Sequence, residues 1–150
     1  MRKFLIAVLL LAIAVLGYVG YAHFTGGAVP TFGLPIGGEK SRIRQATLTF
    51  FEKVKFKDRA GLMVMVPPEM NFDDITSYLL KTLQVDLDSL DLESIKVKHL
   101  EVDNEVRRAR VKVLLGGYNL NIKKPLDIEK IIFLYRVGDM WLVDIKNLAL

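Results

Sequence analysis

The sequence contains no cysteine among its 150 residues. This excludes a disulfide framework, a thiolate metal site, a cysteine nucleophile and a lipid-modified N-terminal cysteine. It has only 2 histidines, and His23 lies in an apolar N-terminal stretch, so the sequence offers no cluster of metal ligands. We therefore expect no bound metal, and no residue pattern implies a cofactor.

Sequence signatures of common enzymes are also missing. There is no phosphate-cradling glycine loop with its lysine, no Gly-x-Ser-x-Gly motif and no His-Glu-x-x-His motif. The net charge of +4 is too small to argue for nucleic acid. Aromatic residues do not alternate with the basic ones, as a single-strand stacking surface requires. These absences favour a protein without catalytic activity and argue against nucleic acid as a partner.

The chain opens on a long apolar run that can be read as a membrane anchor. Arg2 and Lys3 precede it, and residues 4–24 carry no acidic, lysine or arginine side chain. A helix needs roughly 20 residues to cross the hydrocarbon core, and Tyr18 and Tyr21 lie where aromatic residues favour the interface. Because the basic residues come first, we expect a single-pass protein with a cytoplasmic N-terminus and an extracytoplasmic domain.

The same stretch also has the features of a cleavable secretory signal. The uninterrupted apolar run from Phe4 to Leu16 has the length of a signal-peptide core, and Gly20 and Ala22 offer a small-x-small cleavage site. Cleavage near Ala22 would leave a secreted or periplasmic protein. We favour retention, because the apolar linker and sheet faces that follow suit a domain held beside partners.

Residues 25–40 are rich in glycine and proline and are predicted to form a linker. The linker is not polar, since Phe32, Leu34 and Ile36 alternate through it, and an exposed tail would normally avoid such residues. They either lie on the domain that follows or dock on a partner protein. The predicted organisation is an anchor at 1–24, a linker at 25–40 and a domain at 41–150.

The first part of this domain has helical periodicity. An amphipathic helix with a basic side is predicted from Ser41, which suits an N-cap. A short helix is predicted over 58–66, ended by Pro67, and a third helix after Asn71. The apolar stripe of the third helix comprises Phe72, Ile75, Leu79 and Leu83.

From residue 94 the period becomes two, which predicts a β-hairpin. A two-residue loop would mix apolar and charged residues on both faces. A three-residue loop over 103–105 instead pairs Val97 with Val111 and His99 with Ala109, so that one face is apolar and the other basic. The basic face comprises Lys96, Lys98, Arg108, Arg110 and Lys112.

A second hairpin is predicted over 126–148, turning at Gly138-Asp139. One face of this hairpin is apolar and is assigned to the core. The opposite face is also largely apolar and includes Phe133 and Tyr135. Strands that are apolar on both faces are usually covered on both faces. The second face therefore needs a homodimer mate, another protein subunit or the linker.

The order of helix, short helix, helix and antiparallel sheet resembles the nuclear transport factor 2-like (cystatin-like) superfamily. The resemblance covers about 41–148 and is carried by SRIRQATLTFFEKVKFKD, GLMVMVPPE and the terminal VGDMWLVDI. It implies an α+β fold in which three helices close over a curved sheet to form a cone. The superfamily includes ketosteroid isomerase, scytalone dehydratase, ligand-binding domains and many subunits with no chemistry, and fold alone cannot choose among them.

An isomerase-like site would need a carboxylate base and a hydrogen-bond donor that point into the cone. The candidates for a ligand pocket are His99, Glu101, Arg107 and Tyr78. In the predicted register Glu101 faces Arg107, and a cross-strand ion pair is the simpler interpretation of the two. A lone histidine on an apolar face is more often a structural residue than a catalyst.

We therefore predict a non-catalytic accessory or scaffold subunit of a membrane complex, anchored in the membrane through residues 4–24. Two alternatives remain, namely a cone that binds or isomerises a small apolar ligand, and a subunit like the bridging component of type IV secretion systems. The predicted partner-binding residues are the apolar linker residues, the basic strand face and two aromatic residues of the second hairpin: Phe32, Leu34, Ile36, Lys96, Lys98, Arg108, Arg110, Lys112, Phe133 and Tyr135.

Overall fold

The computed structural model describes residues 2–26 and 36–147. The chain divides into two compact units, residues 1–42 and 43–150. Phe32 and Leu34 of the predicted linker lie outside the described residues, and Ile36 is half-buried.

The first unit contains helix α1, Arg2–Phe24. Its segment Phe4–Phe24, with 21 residues, is long and apolar enough to cross a membrane. Its large apolar side chains are exposed to a high degree along the whole helix, as at Leu9 and Leu16. A signal sequence has the same length and composition, so α1 fits both interpretations of the N-terminal stretch.

Helix α2 (Gly38–Lys55) begins ahead of the predicted start. The backbone N–H of Ser41 donates to the carbonyl of Gly37 at 3.4 Å, which places Ser41 inside the first turn. The prediction that Ser41 is the N-cap is therefore wrong. Gly37 has φ 101°, a conformation that glycine adopts readily, and Glu39 follows in the first turn, where the helix dipole favours an acid.

Two shorter helices follow, α3 (Arg59–Met63) and α4 (Phe72–Leu83). The Asp58 carboxylate caps α3 by accepting the backbone N–H of Gly61 at 2.9 Å. At α4, the Asn71 side chain accepts the N–H of Asp74, and the Asp74 carboxylate accepts the N–H of Asn71, both at 2.9 Å. This capping box confirms the prediction that the third helix of the domain starts after Asn71.

The rest of the domain is one antiparallel sheet with strand order β1-β2-β3-β4. A short 3₁₀ turn, Leu87–Ser89, leads into it. The strands are β1 (Leu90–Val102), β2 (Arg108–Asn119), β3 (Lys124–Val137) and β4 (Met140–Val143). Three helices and a four-stranded antiparallel sheet confirm the predicted α+β class.

One apolar core joins helices α2, α3 and α4 to the inner face of the sheet. Phe50 is 0% exposed, and its ring meets that of Phe51 edge to face, with centroids 5.3 Å apart. Leu79 from α4 and Trp141 from β4 are buried in the same cluster. The second hairpin has the predicted turn, since Val137 pairs with Met140 and Gly138 has φ 58°.

The first hairpin has a different register from the one predicted. Val97 pairs with Val113 rather than Val111, and the loop runs from Asp103 to Arg107. The predicted three-residue loop is therefore wrong. Two features explain the longer loop: the Asp103 carboxylate accepts the backbone N–H groups of Arg107 (2.7 Å) and Arg108 (3.1 Å), and Val106 takes the left-handed conformation, with φ 55°.

Candidate interaction surface

The outer face of the sheet, turned away from the helices, combines basic and aromatic side chains. In the β2–β3 register, Arg108 pairs with Tyr135, Arg110 with Phe133 and Lys112 with Ile131. These three pairs lie side by side on the sheet, although two separate strands supply the residues. Phe133 and Tyr135 are half-buried, and the neighbouring Leu142 of β4 is buried.

A β-bulge in β1 determines which side chains of that strand join the outer face. The register shifts between Val97 and His99, so Lys98 has no partner on β2. Because one extra residue reverses the alternation of side chains, His99 and Glu101 move to the outer face. Glu101 then pairs with Arg110, and their carboxylate and guanidinium lie 3.7 Å apart.

A cleft of about 570 Å³ opens on this face, near the Asp103–Arg107 loop. Phe133 lies at the cleft beside charged groups from β1 and β2, and Asp144 and Asn147 close it from the C-terminal turn. A volume of this size suits a small molecule or a side-chain cluster of a partner protein. The residues that line it include Glu101, Asp103, Arg108, Arg110, Phe133, Asp144 and Asn147.

The carboxylates around the cleft are already occupied by local hydrogen bonds. The N–H groups of Arg108 and Arg107 hold the pKa of Asp103 below its ordinary value. The Asp144 carboxylate accepts the side-chain amide of Asn147 at 2.6 Å. The guanidinium of Arg108, by contrast, makes no hydrogen bond or ion pair with any described residue. The Arg108 charge acts on nearby Asp103, and the side-chain N–H groups of Arg108 are available to a partner.

Comparisons with known proteins identify the fold and nothing narrower. No protein-family model matches the chain, and no curated protein matches it. Among solved structures, it is similar to a ketosteroid isomerase-like protein from Erwinia carotovora atroseptica, with a TM-score of 0.51 over 69% of this chain and 88% of that one. The domain has the nuclear transport factor 2-like fold. The two sequences are 12% identical, so the likeness shows the fold alone.

The four predicted pocket residues do not meet inside this nuclear transport factor 2-like domain. His99 pairs with Lys112 on the outer face, not with Ala109 on the apolar face, so that prediction is wrong. Its Nε2 lies 3.0 Å from Glu101 Oε1, and both side chains are exposed to solvent. Arg107 does not face Glu101 but forms an exposed ion pair with Glu105 at 3.4 Å.

Tyr78 lies apart from the other three predicted pocket residues, on the buried side of α4. Burial raises the pKa of Tyr78 to about 12, and the negative charge of Asp144 adds to the effect. A phenol with such a pKa stays protonated and can donate a hydrogen bond. No carboxylate is buried in the described part of the chain that could serve as its catalytic partner.

The interior of the domain is occupied by side chains. Phe50, Leu79 and Trp141, which come from three different elements, are all buried between the helices and the sheet. The buried hydroxyl of Thr47 donates to the carbonyl of Ile43 at 2.9 Å and is satisfied within α2. Across residues 2–26 and 36–147, no three side chains of histidine, aspartate or glutamate come together as metal ligands.

Sequence patterns found some members of the outer face and missed others. Arg108, Arg110 and Lys112 were predicted from alternation alone, which holds from Arg108 to Leu115. Asp103 and Asp144 lie where a strand ends and the chain turns. A carboxylate that caps such a turn can be recognised from the local sequence. The sequence does not show that the turns carrying Asp103 and Asp144 lie close together.

Proposed function

We propose that this protein is a membrane-anchored, extracytoplasmic interaction domain, acting as a non-catalytic accessory subunit of a membrane complex. The observation that carries the proposal is where the charged and the apolar side chains lie in the fold. Every described carboxylate lies outside the core, while large apolar side chains fill the interior. A catalytic cone needs the opposite arrangement, with a base and a donor directed at an interior substrate.

The outer face supports an interaction role. Half-buried Phe133 and Tyr135 lie beside the unpaired guanidinium of Arg108. Aromatic residues and arginine are the side chains that most often dominate binding energy in protein interfaces. The exposed apolar helix α1 supports the anchoring part of the proposal, because its segment Phe4–Phe24 is long and apolar enough to cross a membrane.

The absence of cysteine makes the topology directly testable. In a chain with Asn104→Cys, the only thiol lies in the exposed loop between β1 and β2. We expect a membrane-impermeant maleimide to label it in intact spheroplasts. A matched chain with Lys3→Cys should be labelled only after lysis, and both should stay in the membrane fraction after alkaline washing. Recovery of the Asn104→Cys chain in the soluble fraction, shortened by the mass of residues 1–22, would show a cleaved signal.

The interaction role predicts an effect of charge reversal at the cleft. Arg110 now forms an ion pair with Glu101. The substitution Arg110→Glu would replace that pair with two neighbouring carboxylates. We expect co-purifying subunits of the detergent-extracted full chain to be lost, with the fold retained because exposed charge changes usually alter stability little. The matched control is Lys98→Glu, which reverses an exposed charge in the bulge without touching the cleft. Equal retention of subunits in both variants would contradict the assignment of the outer face.

The fold likeness also supports a second candidate, a domain that binds a small apolar ligand inside the cone. A solved structure with the same fold is that of a ketosteroid isomerase-like protein. The two candidates differ in what they require of Phe50, which must line an open cavity in a ligand-binding cone and fill the core in an interaction domain. The stability of a Phe50 variant therefore separates them.

A further inference from the structure

The loop between β2 and β3 exposes apolar side chains where hairpin loops are usually polar. Leu120 is 50% exposed and Ile122 is 59% exposed. The ring of Tyr118, at the end of β2, is exposed beside them. Lys123 and Lys124 follow directly in the chain. Hairpin loops favour glycine, asparagine and aspartate, so two aliphatic side chains here call for an explanation other than turn formation.

Several hydrogen bonds hold this loop in a defined conformation. The Asn119 side chain accepts the backbone N–H groups of Asn121 at 3.0 Å and of Ile122 at 3.4 Å. The N–H of Leu120 donates to the carbonyl of Ser89 at 2.9 Å. The Tyr118 hydroxyl donates to the carbonyl of Lys123 at 2.8 Å. The aliphatic side chains are thus presented by an ordered turn, and little conformational entropy is lost when they bind.

A further exposed apolar side chain lies at the same end of the domain. Phe56, just after α2, is 68% exposed. The next residue, Lys57, donates from Nζ to the carbonyl of Asp88 at 2.7 Å, next to the Ser89 carbonyl that binds Leu120. We call Phe56, Tyr118, Leu120 and Ile122 together the apolar end.

The formal charges around the apolar end cancel. The lysines are offset by the acids of the 3₁₀ turn and of the start of β1. The basic residues are Lys55, Lys57, Lys123 and Lys124, and the acidic ones are Asp86, Asp88, Asp91 and Glu93. This surface therefore does not favour a strongly anionic or a strongly cationic ligand. Exposed aliphatic and aromatic side chains flanked by lysine fit the boundary between lipid headgroups and acyl chains.

We propose that the apolar end inserts Leu120 and Ile122 into the lipid bilayer that holds α1. The proposal rests on the anchoring part of the proposed function. A tether raises the local concentration of bilayer, so that a contact of few side chains is sufficient. Helix α2 has 18 residues and rises over about 27 Å from Gly38 towards the apolar end. Residues 25–37 can extend over about 40 Å, so the chain is long enough for the contact.

The test uses the full chain reconstituted in phosphatidylcholine vesicles, with an environment-sensitive dye on a single cysteine. Ile122→Cys places the dye at the apolar end, and Asn104→Cys places it in the loop at the other end of β2. We expect a blue shift at position 122 and loss of emission when nitroxide-labelled lipids are included. The dye at position 104 should show neither. Adding Leu120→Asp should remove most of the blue shift at 122, and adding anionic lipid should change it little, because the surrounding charges cancel.

Three outcomes would overturn the inference. If the chain floats with the vesicles and both dyes behave alike, the anchor stands and the lipid contact is wrong. If the dye at position 122 is blue-shifted but not quenched by nitroxide lipids, it contacts protein instead. If the chain does not float with the vesicles, the anchoring proposal fails and the lipid contact fails with it.

Discussion

Phe50→Ala is expected to lower the free energy of unfolding by about 3–5 kcal/mol, as for other buried aromatic residues. The ring is 0% exposed and packs edge to face on Phe51. Its removal would leave a cavity between α2 and the sheet that the surrounding core can fill only partly. Small domains have a total stability of about 5–15 kcal/mol, so the variant should be marginally folded at room temperature.

Urea denaturation of the detergent-solubilised full chain gives the measurement. The protein has 1 tryptophan, Trp141, and its side chain lies in the same core, so its fluorescence reports unfolding of this domain. Phe56→Ala is the matched control, because Phe56 is the same residue type directly after α2 and is exposed. Its effect should stay within about 0.5 kcal/mol.

The Phe50 result also decides between the two candidate functions. In a filled core, the lost packing adds to the lost transfer free energy, and the destabilisation is large. In a ligand-binding cone, the ring would already border empty or solvent-filled space, and its removal would cost much less. A loss for Phe50→Ala as small as that for Phe56→Ala would therefore contradict the filled interior and favour the ligand-binding candidate.

Local sequence signals predicted the elements that are stabilised locally. Asn71 and Asp74 satisfy each other's backbone N–H groups, and both partners lie within four residues of chain. The turn at Gly138-Asp139 has a two-residue length that fixes the register of β3 and β4. In both cases the determining interactions are short-range, and the sequence pattern contains all the residues that make them.

In the first hairpin, alternation along the strand predicts the wrong face for His99. Strict alternation placed His99 on the apolar face, but the extra residue Lys98 reverses the order of the side chains after it. Leu100 and Val102 then pack on the core in place of His99 and Glu101. Burying two aliphatic side chains there is favoured over burying an imidazole and a carboxylate. This preference exists because α2 packs on that face of the sheet and forms the core with it. Alternation along one strand does not show which face α2 covers.

The outer face was predictable only in part for the same reason. The basic residues of β2 lie on one uninterrupted strand, and alternation is enough to group them. Their proximity to Phe133 depends on the β2–β3 register, which the loop over 120–123 determines. The contribution of Asp144 depends on the turn after β4. To predict each further residue of the cleft from the sequence, one more long-range strand pairing must be known.

Gly117→Ala is expected to destabilise the domain by about 3 kcal/mol, at the upper end of what overpacking costs. A Cβ atom at this position would overlap the carbonyl oxygen of Asp91 and would lie 3.0 Å from the Cα of Leu92. Both atoms belong to the backbone of β1, so no side-chain rotation relieves the contact. The strand itself must move away from β2, and the pairs from Leu90 to Leu92 would be lost.

Gly116→Ala provides the matched control, because it adds the same methyl group one residue earlier. There the new atom would meet the Ser94 hydroxyl at 2.6 Å, and the exposed serine can rotate away at a cost of about 1 kcal/mol. Tryptophan fluorescence in urea measures both stabilities, and amide hydrogen exchange locates the damage, which should concentrate at the start of β1 for Gly117→Ala. Equal losses in the two variants would contradict the close approach of the strands. Because Ser89 and Leu90 also support Leu120 and Asn119, the same variant should loosen the apolar end while leaving the cleft at the opposite end of β2 intact.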